Sequence, residues 1–192
     1  MSSTEQSPLW PLFLKLHGRT VLVVGAGSVA ERKIRSLLEA GAAVRMVAPE
    51  ATLELRRLAE AGRIEWRARP FEPADADGTW IALAATPNAD VQRAVADAAA
   101  ARRLFLIAAD DPANSSAYSG AVVRRPPFAV AISSSGATPA LTRLLREIIE
   151  QVLPEPDWIE HAKALRARWI ASATPAGGRF GELVRELARR RQ

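Results

Sequence analysis

Apolar and polar positions alternate between two rhythms as far as residue 109. Residues 20–24, Thr-Val-Leu-Val-Val, form an apolar and largely β-branched run that stops at Gly25, the pattern of a strand buried on both faces. Residues 28–39 follow with apolar positions at Val29, Ile34, Leu37 and Leu38, a helical spacing. Residues 42–48 read as a second strand, and residues 51–61 as a short helix closed by Gly62. In residues 63–69 Ile64, Trp66 and Ala68 alternate as in a third strand. A fourth strand is predicted over 80–85 and a fifth over 104–109, separated by a helix over 89–103 that Thr86-Pro87-Asn88 opens. Strands and helices in strict alternation predict a parallel sheet. Ahead of it, residues 9–16 are apolar and extended and are expected to pack against the first strand, with His17-Gly18-Arg19 as a turn that carries no assigned chemistry.

Beyond residue 117 the rhythm changes. Residues 118–123 and 128–133 are two strands with no helix between them, joined by a predicted hairpin turn at Arg124-Arg125-Pro126-Pro127. Ser133-Ser134-Ser135-Gly136-Ala137 is a turn, and Thr138-Pro139 is a suitable N-cap and first-turn pair for a helix. That helix carries one apolar stripe, Leu141, Leu144, Leu145, Ile148, Ile149 and Val152. One helix and two strands are too little to fold alone, so part of the stripe is expected to meet a second copy of the chain. Pro154-Glu155-Pro156 breaks the chain before a helix over 157–172, with Trp158, Ala162, Leu165 and Trp169 on one face and His161 at its edge. Pro175-Ala176-Gly177-Gly178 reads as another break, followed by a last helix with Phe180, Leu183, Val184 and Leu187. Three domains are therefore expected, over 1–117, 118–153 and 154–192.

Chemistry concentrates where the first strand turns into the first helix. Gly25-Ala26-Gly27-Ser28-Val29-Ala30 has the G-x-G-x-x-A form of a dinucleotide fingerprint. Gly25 permits the tight turn, Gly27 lets a pyrophosphate approach the backbone, and Ala30 allows close helix-on-strand packing. Free amides at the helix start face the phosphates. The second strand ends Ala48-Pro49-Glu50 rather than directly on an acid, so Glu50 is the residue placed to reach a ribose, and the choice between NAD and NADP stays open. Ligands of such sheets lie off the carboxyl ends of the strands, which here are Gly25 to Gly27, Ala48 to Glu50, Thr86 to Asn88 and Asp110-Asp111.

Composition narrows the classes. With 192 residues, no cysteine and only His17 and His161, the chain offers a full core but no disulfide, thiolate site or histidine ligand cluster, which argues against a zinc enzyme. Of its 26 basic residues 23 are arginine, and the net charge is +5, a bias that suits a polyanionic ligand or simply an arginine-rich composition. Arg189-Arg190-Arg191 has no aromatic interleaving and reads as a solvated tail rather than a nucleic-acid contact. No stretch reaches the length of a membrane span, and the polar start lacks the pattern of a leader, so a cytoplasmic location is expected.

Taken together, several stretches closely resemble the siroheme synthase N-terminal module, the NAD-dependent precorrin-2 dehydrogenase and sirohydrochlorin ferrochelatase family. They are Pro11-Leu12-Phe13, the run from Gly25 to Lys33, Leu37-Leu38-Glu39-Ala40-Gly41-Ala42, Ala84-Ala85-Thr86 and Ala109-Asp110-Asp111-Pro112. The run from Ala131 to Pro139 and Leu144-Leu145-Arg146-Glu147 complete the set, and the likeness weakens after Pro156. The resemblance implies a Rossmann domain, a small dimerisation domain and a helical C-terminal domain. It also implies loss of a hydride from precorrin-2 to NAD+ and of a proton to a base, giving sirohydrochlorin, with Fe2+ insertion in some members.

By the same resemblance Ser28, Val29, Pro49 and Glu50 contact NAD beside Gly25 and Gly27, with Thr86 nearby. Asp110 matches the family's catalytic aspartate, and Ser134 a serine near the tetrapyrrole. A carboxylate at a strand end beside the nicotinamide is suited to take the released proton, with Asp111 as its neighbour and competitor. Arg124 and Arg125 are candidate partners for the carboxylates of the substrate, against the exposure expected of a hairpin turn. Nothing after the helical tail is long enough for the methyltransferase domain fused to this module in some bacteria, so that activity is expected elsewhere. Two functions follow for testing: a homodimeric dehydrogenase, or a NAD(H)-sensing module that gates a partner without chemistry.

Overall fold

The computed structural model describes residues 9–109, 111, 114–135, 137–153 and 156–189. The chain divides into two compact units, Met1–Ser119 and Gly120–Gln192.

In the first unit β1 (Thr20–Val24), β2 (Ala43–Val47), β3 (Glu65–Arg67), β4 (Ile81–Ala84) and β5 (Phe105–Ala108) form one parallel sheet in the order β3-β2-β1-β4-β5. Val24 is level with Val47 on one side and Ala84 on the other, and Ala84 is level with Ala108, so four strands finish at one edge. The continuous apolar runs are explained by burial on both faces: Val21, Leu22 and Val23 are fully buried, and every residue of β4 is buried. On one face α1 (Ser28–Glu39) and α2 (Leu53–Glu60) pack Ala30, Ile34 and Leu55 against Val21, Val23, Met46 and Leu83. On the other, α3 (Ala89–Ala101) packs Val95, Ala98 and Ala99 against Leu22, Val24, Ala82 and Leu106.

The parallel sheet and its five strands are those read from the sequence; β1 has the expected ends and β2 to β5 are shorter at theirs. Residues 9–16 differ from expectation. Only Leu16 joins the core, whereas Trp10, Leu12, Phe13 and Leu14 are exposed. Together with Trp80 and Phe105, Phe13 and Leu14 line a groove of about 400 Å³ at the amino edge of the sheet, the edge away from the glycine turn. The outer side of β5 is occupied by its own continuation: Leu106 N–H donates to Ser116 Oγ and Ala108 N–H to Ser115 Oγ, while the amides of Ser116 and Ala117 donate to the Leu106 carbonyl.

The second unit contains an antiparallel pair, β6 (Ala121–Arg125) and β7 (Phe128–Ile132), then α4 (Pro139–Val152), α5 (Pro156–Ala171) and α6 (Ala176–Arg189). The hairpin turn is shorter than predicted, since Arg124 and Arg125 belong to β6 and only Pro126-Pro127 turn. α4 packs on the two strands but buries none of its residues fully. Its apolar stripe is open: Leu141, Leu144, Leu145, Ile148 and Val152 are all exposed. In the helical pair Ile159, Leu165 and Trp169 are buried, and Trp169 Nε1–H donates to Glu182 Oε2 at 2.7 Å. The predicted second break is also shorter, because α6 begins at Ala176 and takes Gly177 and Gly178 into its first turn. His161 lies half-buried with Nε2 3.4 Å from Glu186 Oε1. Among the described residues no helix is long and apolar enough to cross a membrane.

Candidate functional site

Strand order fixes where a ligand can lie. Connections leave β1 towards β2 and enter β4 on the opposite side, so the helices after these strands diverge and a crevice opens between their loops. Gly25 stands at its floor with φ +104°, where a Cβ would lie 2.2 Å from the Ala85 carbonyl oxygen. A side chain is excluded there by both backbone conformation and space. Gly27 is glycine for another reason. Its φ of −85° suits any residue, and a Cβ built on it meets nothing within 4 Å. What its missing side chain leaves open is the space in front of the first turn of α1, where the amides of Ser28, Val29 and Ala30 have no helical acceptor. Ala30 is fully buried under this turn. A phosphate group fits that opening by charge and by access, so this loop suits a dinucleotide.

Neighbouring loops are tied to the glycine turn by bonds that the sequence reading missed. Thr52 caps α2 by accepting from Leu55 N–H, its own N–H donates to the Ala26 carbonyl at 3.2 Å, and its hydroxyl donates to Glu31 Oε2 at 3.0 Å. One threonine thereby fixes the loop after β2 to both the turn after β1 and the first turn of α1. A capping threonine three residues before Leu55 was a readable signal, but its second partner Glu31 lies 21 positions away. Pro49 and Glu50, exposed at the tip of that loop, face solvent beside it. The Ala48 carbonyl behind them accepts from Trp66 Nε1–H at 3.0 Å, and Ala48 N–H donates to the Arg67 carbonyl.

On the β4 side, the Thr86 carbonyl accepts from Gln92 Nε2 at 2.6 Å, and Thr86 Oγ1 accepts from Asn88 N–H at 3.3 Å. Asn88 Oδ1 then caps α3 through the amides of Asp90 and Val91. Gly25, Gly27, Ser28, Val29, Pro49, Glu50 and Thr86 all lie on these three loops at the carboxyl edge of the first unit. Asp110 lies outside the described residues. Just before it, Ala109 N–H donates to the Ala84 carbonyl at 2.8 Å, and just after it Asp111 accepts from Asn114 Nδ2 at 2.6 Å. The Asp111 carboxylate therefore organises its own loop.

A charged cluster supports the same edge from β3. Asp75 is fully buried and accepts from Arg67 Nη1 at 2.6 Å, from both terminal nitrogens of Arg69, and from Glu72 N–H. Burial alone raises its carboxyl, but the bonds from Arg69, the Glu72 amide and Arg67 outweigh that and hold it at about 2. The same bonds raise Arg67 and Arg69. Both guanidinium groups are thus committed to the fold. Lys33, half-buried on α1, is lowered from the ordinary lysine range by burial and then by Arg32.

Ser134, Arg124 and Arg125 belong to the second unit. Arg125 does not stand free in a turn: its Nη1 donates to the Leu153 carbonyl at 2.6 Å and its Nη2 to the Glu150 carbonyl at 3.0 Å, closing the carboxyl end of α4. Two of its terminal nitrogens thus serve the helix end. Arg124 is exposed on β6. Ser134 Oγ accepts from Thr138 N–H at 3.2 Å and from the Thr142 hydroxyl at 2.9 Å, which ties the serine to the start of α4, where Thr138 is the N-cap residue without a side-chain capping bond. Among the described residues no group of three or more histidines or acids is placed to hold a metal ion.

Residues 12–121 match a sequence family described as "Putative NAD(P)-binding". Siroheme synthase 3 of Aeromonas hydrophila is 46% identical over 145 residues, which take in 76% of this chain and 31% of that protein. The siroheme synthase of Photorhabdus laumondii is 37% identical over 187 residues, covering 91% and 40% of the two chains. This chain therefore spans well under half the length of these curated relatives. A solved structure named "SirC, precorrin-2 dehydrogenase" shares the fold with a TM-score of 0.74, 23% identity, and coverage of 92% and 88%.

Proposed function

The chain belongs to the NAD(P)-binding family of the siroheme synthase N-terminal module, and we propose that it catalyses the NAD-dependent dehydrogenation of precorrin-2 to sirohydrochlorin. The observation that carries this is the loop at the crevice, with Gly25 forced by the Ala85 carbonyl and Gly27 left open before the amides of α1. NAD+, when bound, accepts a hydride. Ser28 and Val29 would present their amides to its phosphates, Glu50 would receive a ribose hydroxyl, and Thr86 would line the nicotinamide side.

The proton that leaves with the hydride goes in this proposal to the Asp110 carboxylate. Support for it is local. The peptide before Asp110 is bonded to the end of β4, the strand that borders the crevice, and the competing Asp111 is occupied by Asn114. Ser134 and Arg124 are proposed as contacts for the substrate's polar groups. We also propose a dimerisation segment over 118–153, which begins two residues before the second unit, and a helical segment over 154–192, with the open stripe of α4 closing on a second copy. Insertion of Fe2+, entering as substrate, is the further step that the same assay reads.

The test is anaerobic incubation with precorrin-2 and NAD+, following NADH and tetrapyrrole absorbance, then addition of Fe2+. NADH formation is expected, and its absence in protein that binds NAD would overturn the proposal. Asp110→Ala is expected to lose turnover while retaining NAD affinity. Gly27→Asp is expected to abolish NAD binding by filling the opening and placing a charge against the phosphates.

A further inference from the structure

We propose that the amine of Lys33 is a binding point for a carboxylate of the substrate, poised on Ser119 at the flank of α1; this rests on the dehydrogenase function proposed above. Lys33 is next to buried Ile34 and three residues beyond buried Ala30, so it sits at the border of the buried stripe of α1. Its Nζ donates to Ser119 Oγ at 2.8 Å and lies 3.4 Å from the Ser119 carbonyl. Ser119 stands two residues after Ala117, whose amide is bonded to Leu106 of β5, so the bond ties α1 to the segment after β5. α1 and α2 cover one face of the sheet, where their buried residues share a cluster with Leu83 of β4, and α3 covers the other.

A half-buried ammonium ordinarily has a carboxylate partner. Among the described residues Lys33 has none, and its near charged neighbour is another cation, exposed Arg32. Among the described residues the two neutral oxygens of Ser119 are its acceptors, which leaves one N–H of the ammonium to donate and its charge without a carboxylate partner there. Burial lowers the affinity of this amine for its proton, and an arriving anion reverses that effect. Lys33 lies about 9 Å along the helix axis from Gly27, and side chains lean towards the helix start. The amine is thereby displaced towards the carboxyl edge, where the cofactor loops lie. The chemistry that fits is a carboxylate on a large, partly apolar molecule.

Steady-state kinetics of Lys33→Met with precorrin-2 and NAD+ test this. KM for the tetrapyrrole is expected to rise roughly tenfold, the loss of one charge-assisted hydrogen bond, with kcat and the Kd for NAD within twofold of the starting protein. Lys33→Arg is expected to recover most of the loss, and Arg32→Gln, which removes an exposed charge from the same helix, to change KM by less than twofold. An unchanged KM in Lys33→Met would overturn the proposal. So would Ser119→Ala reproducing the full effect, since Lys33 would then act only as a strut. If the starting protein forms no NADH, the dehydrogenase proposal fails separately, and binding of the octacarboxylate uroporphyrin by calorimetry decides Lys33. Weaker binding by Lys33→Met supports the site; equal binding, or none by the starting protein, overturns it.

Discussion

The two units solve the burial problem differently. The first encloses its apolar residues on both faces of a five-stranded sheet, so Val21, Leu22, Val23, Met46 and Leu55 have essentially no exposure. The second has comparable apolar patterning on α4, yet half of the surface of Leu141 and Leu144 remains open, and 70% of Val152. A helical apolar stripe therefore states that a face needs covering, not what covers it. In the first unit the cover is local in sequence; in the second, the proposed cover is another copy.

The sharpest way to break this contrast is at Gly25. Gly25→Val places side-chain carbon where the Ala85 carbonyl oxygen lies, so loss of the cooperative melt and of NAD binding is expected in thermal unfolding and titration. Next, Leu144→Asp with Ile148→Asp on the open stripe should convert the sedimentation profile to monomer while NAD affinity stays within about twofold. A stable dimer in that variant would contradict the proposed role of the stripe.

Asp75 offers a measured intermediate step. Asp75→Asn leaves Arg67 and Arg69 without their buried acceptor and is expected to destabilise the first unit by roughly 2–3 kcal/mol in denaturant unfolding. Acid should reproduce part of this. The folded carboxyl is held at about 2, below its ordinary 3.8, so its contribution is complete above pH 3.8 and is lost as pH falls towards 2. The amount is roughly 2 kcal/mol. A first unit whose stability did not change between pH 5 and pH 2 more in the Asp75 protein than in Asp75→Asn would deny this. Smallest is Arg125→Met, expected to cost about 1 kcal/mol in the second unit alone by freeing the carbonyls of Glu150 and Leu153.

The parallel sheet was legible because its strands are buried on both faces and its glycine turn has only one workable placement. The element boundaries of α1 were legible too, since Gly27 and Ser28 mark the start and Gly41 follows the end. Other features depend on distant partners. No local pattern connects Thr52 to Glu31, Gln92 to the Thr86 carbonyl, or Lys33 to Ser119, because such bonds follow from how loops meet at one edge. The bonds of Arg125 were illegible for the same reason: they reach the end of a helix 25 residues on. Residues 9–16 show the opposite limit, with apolar character that only Leu16 places in the core.

The strap of residues after β5 has a consequence for assembly. An unprotected outer strand is a template on which identical sheets add end to end into fibres. Here Ser115, Ser116 and Ala117 already occupy the donors and acceptor at Ala108 and Leu106, and at the far side β3 is only three residues long. Neither rim offers a long ladder for polymerisation. Copies of this chain are thus steered away from open-ended stacking of their sheets, and self-association is left to surfaces that can close.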